Sequence, residues 1–541
     1  MKKVALAFLS LFTICLLAAC GKRQATVTSK QVLNWTETST IATQDQSLAT
    51  DSLSFQTLLN TQEGLYRLDK KQDPKLALAK SVKVSNDGKT YDFTLRSDAK
   101  WSNGDPVTAN DFVYAYRRTV DPSTKASMAF YFYQIENAEA INKGQKEPSE
   151  LGVKAISKDH LQINLIRPVS YFKRLLAFPL FFPQNEKVVK KYGNSYGTQA
   201  KYTVSNGPYI LKNWTGTNKK WSLVKNKTYW DAKNVKLDKV NELVTESTTT
   251  SYNLYNSNKV DETGLLGQQV ATNKNSSAYH KRLASAIQRL ELNEEKVPAF
   301  QNKNIRQAFS YAIDRNSLVN NVLADGSVAA KGFVPSGMGN NPKTGQAFQD
   351  EAYVKSAVSY DLKKAKTLLE KGYQETGINE LNVDLSVSDT DSAKKIAEFL
   401  QSSLERLPNV KVSITSIPYT QLITRQSAKD YELTVKNWQA IIADPINFLD
   451  IFESDSSYNN SGWKSEEYDQ LLSEAENKYG DQPEKRWQLL VRAEKLLLED
   501  QATVPLIQVA KPQLLRPSVK GVYFNPTGIP YDFKPVSLSE K

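Results

Sequence analysis

Apolar and polar side chains alternate along several short stretches of the chain. Tyr91, Phe93 and Leu95 are separated by Asp92 and Thr94, and the turn-forming run Asn86-Asp87-Gly88 precedes them. A half-buried strand entered through a tight turn is predicted there, hence a hairpin. The same period of two places Leu161, Ile163 and Leu165 on one face and His160, Gln162 and Asn164 on the other. Further strands are predicted at Leu381-Val383-Leu385-Val387, Val410-Val412-Ile414 and Tyr431-Leu433-Val435.

Other stretches carry the helical period. From Asn304 to Leu323 the apolar positions include Ile305, Ala308, Phe309, Ala312, Ile313, Val319, Val322 and Leu323, with Gly326 just beyond. Asp361 is predicted to cap a helix carrying Leu362, Ala365, Leu368 and Leu369, with Gly372 as its stop. Ile396, Leu400, Leu404 and Leu407 form a stripe before Pro408, and Trp487, Leu490, Val491, Leu497 and Leu498 form another. Strands interleaved with amphipathic helices predict an α/β or α+β protein, and no internal repeat points to a solenoid or propeller.

Composition narrows the function classes. A chain of 541 residues, at about 150 per domain, is multi-domain. Hydrophobic residues make up 40% and aromatic ones 10%, enough for a substantial core. The net charge of +12 is spread along the sequence without basic tracts, so no nucleic-acid partner is expected. Cys15 and Cys20 are the only cysteines, which leaves the body without a disulfide or a thiolate metal site. His160 and His280, the two histidines, lack the partners that general-base or metal chemistry needs and are expected at the surface.

No GxSxG elbow or GxxxxGK[ST] loop is present, and Pro342 breaks a dinucleotide pattern that begins at Gly337. Asp389 and Asp391 imitate the start of a calcium loop, but Ala393 and Lys394 occupy its next ligand and glycine positions. No cofactor, metal or catalytic set is therefore expected, although no sequence pattern singles out or excludes a glycosidase-type carboxylate pair.

The N-terminus indicates location. Lys2 and Lys3 precede an apolar run from Val4 to Leu17, too short for the roughly 20 residues a membrane span needs and suited to a signal peptide. Leu17-Ala18-Ala19-Cys20-Gly21 resembles the bacterial lipobox, which implies a signal peptide at 1–20, a lipidated Cys20 and a polar tether at 21–30. At about 0.8 kcal/mol per buried methylene, two acyl chains hold a protein stably on a membrane. The expected place is the extracellular face of the cytoplasmic membrane, as on a Gram-positive cell surface.

Eight segments in order resemble the bacterial extracellular solute-binding proteins of the peptide class (family 5), the oligopeptide receptors of ABC importers. They include TYDFTLRSDAKWSNGDPVTANDFVYAYRR from Thr90 to Arg118, NGPYILKNW from Asn206, NKTYWDAKNVKLDKV from Asn226 and NIRQAFSYAIDR from Asn304 with Val334-Pro335 behind it. YDLKKAKTLLEKG from Tyr360, DPINFLDIF from Asp444, Asn460-Ser461-Gly462-Trp463 and Val504-Pro505-Leu506-Ile507 complete the set.

The resemblance implies an α/β, two-lobed periplasmic-binding-protein-like clamshell (type II, cluster C) with an extra inserted domain. Domain I is expected from 25–60, 185–283 and 505–541, domain II from 61–184 and domain III from 284–504. Two strands crossing between domains I and III are expected to act as the hinge. It also implies a monomer without catalytic turnover, whose partners are a peptide ligand and the permease subunits. Peptide-binding positions carried over by motif are Thr38, Ser39 and Thr40 on domain I and Asn437, Trp438, Gln439, Ala440 and Ile441 on domain III. Trp438 is expected to wall the ligand, with a place in the core as the alternative.

One departure stands out. The family pattern resembles W-x-x-D-Y-x-D-P, whose first Asp holds the peptide's α-ammonium, whereas this chain reads Trp438-Gln439-Ala440-Ile441-Ile442-Ala443-Asp444-Pro445. A lost charge-assisted bond costs about 1.5–3 kcal/mol, so a ligand with a blocked, shifted or apolar N-terminal end, or a narrow signalling peptide, is expected. The alternative is that another acid, Asp444 or one from domain I, covers the amine. An oligosaccharide receptor and an envelope hydrolase remain the competing functions.

Overall fold

A computed structural model describes residues 31–245, 247–456 and 458–539. The expected signal peptide at 1–20 with both cysteines, and the expected tether at 21–30, lie outside the described residues. The chain enters through β1 (Val32–Glu37) and α1 (Ser52–Thr61), whose first turn is capped by the Asp51 carboxylate accepting from Ser54 N at 2.8 Å.

An antiparallel sheet follows. It consists of β2 (Ala79–Val84), β3 (Thr90–Leu95), β4 (Val153–Ala155) and β5 (His160–Asn164) in the spatial order β2-β3-β5-β4, with α2 (Ala109–Val120) inserted after β3. The β2–β3 hairpin turns where its sequence predicts: Gly88 takes φ +70° and its N–H donates to Ser85 O at 2.9 Å. Tyr91, Phe93, Leu95, Leu161 and Ile163 all point into the core, as the alternation requires.

The chain then returns to β1. Strands β6 (Tyr209–Lys212), β7 (Lys220–Lys225) and β8 (Lys239–Val244) form the order β1-β8-β7-β6, with β1 parallel to β8 and the other pairs antiparallel. Trp35, Trp214 and Trp221 fill the core on this sheet.

The third and largest sheet is built from β9 (Leu283–Leu292), then α3 (Lys303–Ala312), β10 (Val328–Ala329), α4 (Leu362–Thr376), β11 (Leu381–Ser388) and α5 (Asp391–Leu404). It continues through β12 (Val410–Ile417), α6 (Tyr419–Ser427), β13 (Leu433–Gln439), α7 (Pro483–Glu499) and β14 (Val504–Ala510), in the order β10-β14-β9-β13-β11-β12. β11 runs parallel to both β12 and β13. β9 and β14 pair with each other and are almost continuously buried, as strands covered on both faces must be. Through these two strands the chain leaves the earlier sheets and comes back to them.

Three local expectations need correction. The apolar stripe from Asn304 to Leu323 is not one helix: α3 ends at Ala312, Ile313 is extended, and Asp314 caps a new turn that widens over Leu318–Leu323. Arg315 enforces the break, because its buried guanidinium donates to the carbonyls of Pro505, Ser310 and Val358. Gly372 does not stop its helix, which runs on to Thr376 and closes at Gly377 with φ +72°. Gly372 instead faces α3, where a Cβ would come within 2.5 Å of Ile305 Cγ1. Leu407 is buried but lies past the end of α5.

Candidate functional site

The expected binding positions on the third sheet lie on β13. This strand pairs with β9 from Leu433 to Gln439, but with β11 only at Leu433 and Thr434. From Val435 to Gln439 its other edge therefore carries no ladder, the Gln426 amide on Val435 O at 3.5 Å being the one hydrogen bond described there. An unpaired strand edge presents N–H and C=O groups ready for another extended chain.

Asn437 is exposed and Gln439 half-buried on this stretch. Trp438 is half-buried, so neither a free wall nor a core side chain describes it fully. Its Nε1 donates to Asn447 O at 2.6 Å, and its ring meets Tyr458 edge-on at 5.1 Å. Ala440 differs from its neighbours. It is fully buried, its N–H donates to Ser285 O at 3.0 Å, and its carbonyl accepts from Gly528 N at 2.9 Å.

Ile441 continues this inward turn. Its N–H donates to Asn447 Oδ1 at 2.8 Å, and its carbonyl lies so close to Gly528 that a Cβ there would be 2.7 Å away. With Leu59, Phe178, Ile442 and Ile529 it lines a small cavity of about 30 Å³, at which Arg174 and the ion pair of Arg67 with Asp532, at 2.7 and 2.6 Å, also appear. Segments far apart in sequence thus meet around an apolar side chain where the family pattern has a carboxylate.

Asp444, the nearest acid downstream, faces Arg486 with both oxygens, at 3.0 and 2.9 Å. Arg486 also reaches Glu476 at 2.6 Å. Against the cost of burial, Arg486 and Arg167 hold the Glu476 carboxyl below its ordinary range. Asp444 is thereby tied into a structural ion-pair network.

On the first sheet β1 is an edge strand, and Thr38 and Ser39 are exposed just beyond it. Thr40 is half-buried and donates to Asn218 O at 3.3 Å. Thr38 and Ser39 line a cavity of about 370 Å³ that also presents Glu37, Gln56, Glu262 and Tyr531. Glu37 accepts from Gln56 Nε2 at 2.8 Å, and Glu262 accepts from Thr36 Oγ1 at 2.8 Å and from Gln513 Nε2 at 2.9 Å. Burial pushes Glu262 up to about 7; burial and then the charges of Glu242 and Glu262 raise Glu37 well above its ordinary value.

These two acids are the residues that sequence reasoning missed. Glu37 adjoins Thr38 and could have been noticed, but Glu262 is brought in by the tertiary fold alone. His160 is exposed on β5, and His280 is half-buried, its pKa lowered by burial and by Arg282. Among the described residues no group of three His, Cys, Asp or Glu side chains could hold a metal ion, and no helix is long and apolar enough to cross a membrane.

Comparison with known proteins gives one answer. Residues 73–460 match the family described as bacterial extracellular solute-binding proteins, family 5 Middle. The dipeptide-binding protein of Lactococcus lactis subsp. cremoris is 35% identical, with 96% of each chain covered. The structure of Listeria monocytogenes OppA bound to peptide superposes with a TM-score of 0.80 at 38% identity, covering 95% of this chain and 100% of that one. The pheromone receptor PrgZ superposes equally well, at 0.80 and 38%, covering 94% and 100%. The fold is accordingly the α/β two-lobed clamshell of periplasmic binding proteins with an inserted domain. With sequence, fold and family match in agreement, this chain belongs to family 5 of the bacterial extracellular solute-binding proteins, a family of transport receptors and not of enzymes.

Proposed function

We propose that this chain is a lipid-anchored extracellular receptor that captures oligopeptides by cleft closure and delivers them to the permease of an ABC importer. The observation that carries this reading is the unpaired edge of β13 from Val435 to Gln439. Main-chain pairing along such an edge gives affinity without choosing sequence. Asn437, Trp438 and Gln439 are the backbone partners on domain III; Ala440, whose N–H and carbonyl are both used, and Ile441, whose N–H is used, end the track. Thr38, Ser39 and Thr40 face the ligand from domain I.

In this reading domain I comprises 25–60, 185–283 and 505–541, domain II 61–184 and domain III 284–504. β9 and β14 are the hinge, and a ligand that touches both lobes only when they are closed shifts the population to the closed form. Cys20 carries the lipid, the tether spans 21–30, and the protein works as a monomer. Holding the receptor on the membrane beside its permease raises their effective concentration. Relatives whose names record dipeptide or oligopeptide binding support the ligand class.

The ligand's N-terminal end is not anchored by charge at Ile441, so blocked, shifted or apolar ends are accepted there. A narrow ligand such as a signalling peptide is the second reading, favoured by this same position and by the likeness to a pheromone receptor. Native mass spectrometry of residues 22–541, followed by denaturation and sequencing of what is released, tests the function. Bound peptides support it; an empty protein stabilised by an oligosaccharide and by no peptide overturns it.

A further inference from the structure

The end of the sheet at which β1 enters is rich in lysine. Residues 225–239 read KNKTYWDAKNVKLDK, five lysines against two aspartates. The register places this segment around the point of entry: Val32 of β1 lies opposite Lys239 of β8, Lys239 opposite Val224 of β7, and Lys225 opposite Tyr209 of β6. Beyond the sheet end Lys225 Nζ donates to Val235 O at 2.7 Å and Lys236 Nζ to Lys233 O at 3.2 Å, which gathers these three lysines into one patch. Lys227 is exposed just after β7. Lys520 joins from the C-terminal chain. It pairs with Ser537, and the neighbouring Leu538 exchanges two hydrogen bonds with the Gln31 side chain, at 3.0 and 2.8 Å.

The charge of this face is not answered from within the protein. Asp231 is buried and held by Lys534 at 2.9 Å, and Asp238 accepts from the Gln31 N–H at 3.3 Å. Among the described residues none of the six lysines forms an ion pair, and the bonds of Lys225 and Lys236 go to backbone carbonyls, which leave the positive charge uncompensated. The chain leading into the face is short: ten residues, 21–30, separate Cys20 from Gln31. Ten residues reach at most about 35 Å. A tether of that length holds the face against a bilayer at high effective concentration, so that even a weak attraction orients it.

We infer that this end of the β1-β8-β7-β6 sheet docks on the anionic headgroups of the membrane that holds Cys20. The inference rests on the lipid-anchor reading above and adds an orientation to it. A lysine within a Debye length of an anionic bilayer, about 8 Å at physiological salt, contributes about fivefold in affinity. β1 is six residues long, about 20 Å of strand, and the cavity at Thr38 and Ser39 lies at its far end. Docking therefore turns that cavity away from the lipid and toward the medium from which ligand arrives.

Co-sedimentation of the purified protein, residues 22–541 and so without a lipid, with vesicles of phosphatidylglycerol and phosphatidylcholine tests it. The wild type is expected to bind these vesicles at low salt, to be released as salt rises, and to ignore vesicles of phosphatidylcholine alone. Reversing three exposed lysines of the face together, Lys227→Glu, Lys233→Glu and Lys236→Glu, is expected to lower binding by about tenfold or more. The same three positions changed to Arg are expected to keep it. Lys80→Glu, Lys83→Glu and Lys154→Glu, exposed lysines of the β2-β3-β5-β4 sheet, make the same change in net charge and are expected to cost less than about threefold. Equal losses from the two triple reversals, or no preference of the wild type for phosphatidylglycerol, would overturn the docking face and leave the lipid anchor standing. The intact mass of the chain expressed in a bacterium with its own N-terminus reads the anchor separately. Absence of a diacylglycerol on Cys20 would overturn the anchor and the inference with it.

Discussion

Acetylating the N-terminus of a bound peptide is the most direct probe of what replaces the missing carboxylate. A charge-assisted hydrogen bond to a buried acid contributes about 1.5–3 kcal/mol, so a receptor that anchors the α-ammonium should lose about 10- to 150-fold in affinity on acetylation. Here Ile441 lies among Leu59, Phe178 and Ile529, and both oxygens of Asp444 face Arg486. Among the described residues the one acid lining the same cavity, Asp532, is already held by Arg67 at 2.7 and 2.6 Å, so acetylation is expected to change Kd by less than about threefold, or under 1 kcal/mol. Isothermal titration with one captured peptide in free and acetylated forms measures it. Ile441→Asp restores a carboxylate at the family position, in a cavity where Arg67 is already bound to Asp532, and is expected to bring a preference for the free amine of about tenfold. A preference above tenfold in the wild type would refute the reasoning and transfer the anchor to Glu37 or Glu262 on domain I.

Gly372→Ala should gain about 1 kcal/mol of helix propensity but force a Cβ to within 2.5 Å of Ile305 Cγ1 and 3.1 Å of Asn302 Oδ1, the cap of α3. Overpacking of this kind costs about 1–3 kcal/mol, so urea melts are expected to show a net loss; a gain would mean that α3 yields freely. Arg486→Met leaves Asp444 and Glu476 without their partner in a largely buried site, and a loss of about 3–5 kcal/mol is expected in the same assay. Glu494 accepts from the N–H groups of Phe333 and Val334 and is pushed by burial from 4.5 up to about 7. Below pH 4.5 both folded and unfolded chains keep its proton; as pH rises to about 7 the unfolded chain ionises first, so stability falls by about 3 kcal/mol at most. The Tm advantage of Glu494→Gln over the wild type should therefore grow from pH 4.5 to pH 8, and a pH-independent difference would contradict this.

Much of this protein is decided by patterns a few residues long. The alternation of Tyr91, Phe93 and Leu95 with polar neighbours is enough to make a half-buried strand, because successive side chains in an extended chain point to opposite faces. Asp361 caps its helix because its carboxylate reaches the Lys364 N–H within one turn. The family segments are local runs too, and so is the departure at Ile441, legible from its distance to Trp438 and Pro445. Positions three or four apart, however, say nothing about what lies against them. Gly372 reads as a stop until α3 is seen to pack on it, and the stripe from Asn304 to Leu323 reads as one helix until Arg315 finds the carbonyl of Pro505.

The site itself belongs to the tertiary level. Asp444 is removed from ligand chemistry by Arg486, 42 residues on, and Glu37 acquires Glu262 as a neighbour only because β1 and the later chain meet. The edge of β13 is free because β11 diverges after two paired residues, a fact of sheet geometry that neither strand's own sequence contains. Periodicity selects the element and the face it buries; which groups share a cavity, and which charges are already paired, depends on contacts between segments distant in sequence, whose distances are set only when the whole chain has packed.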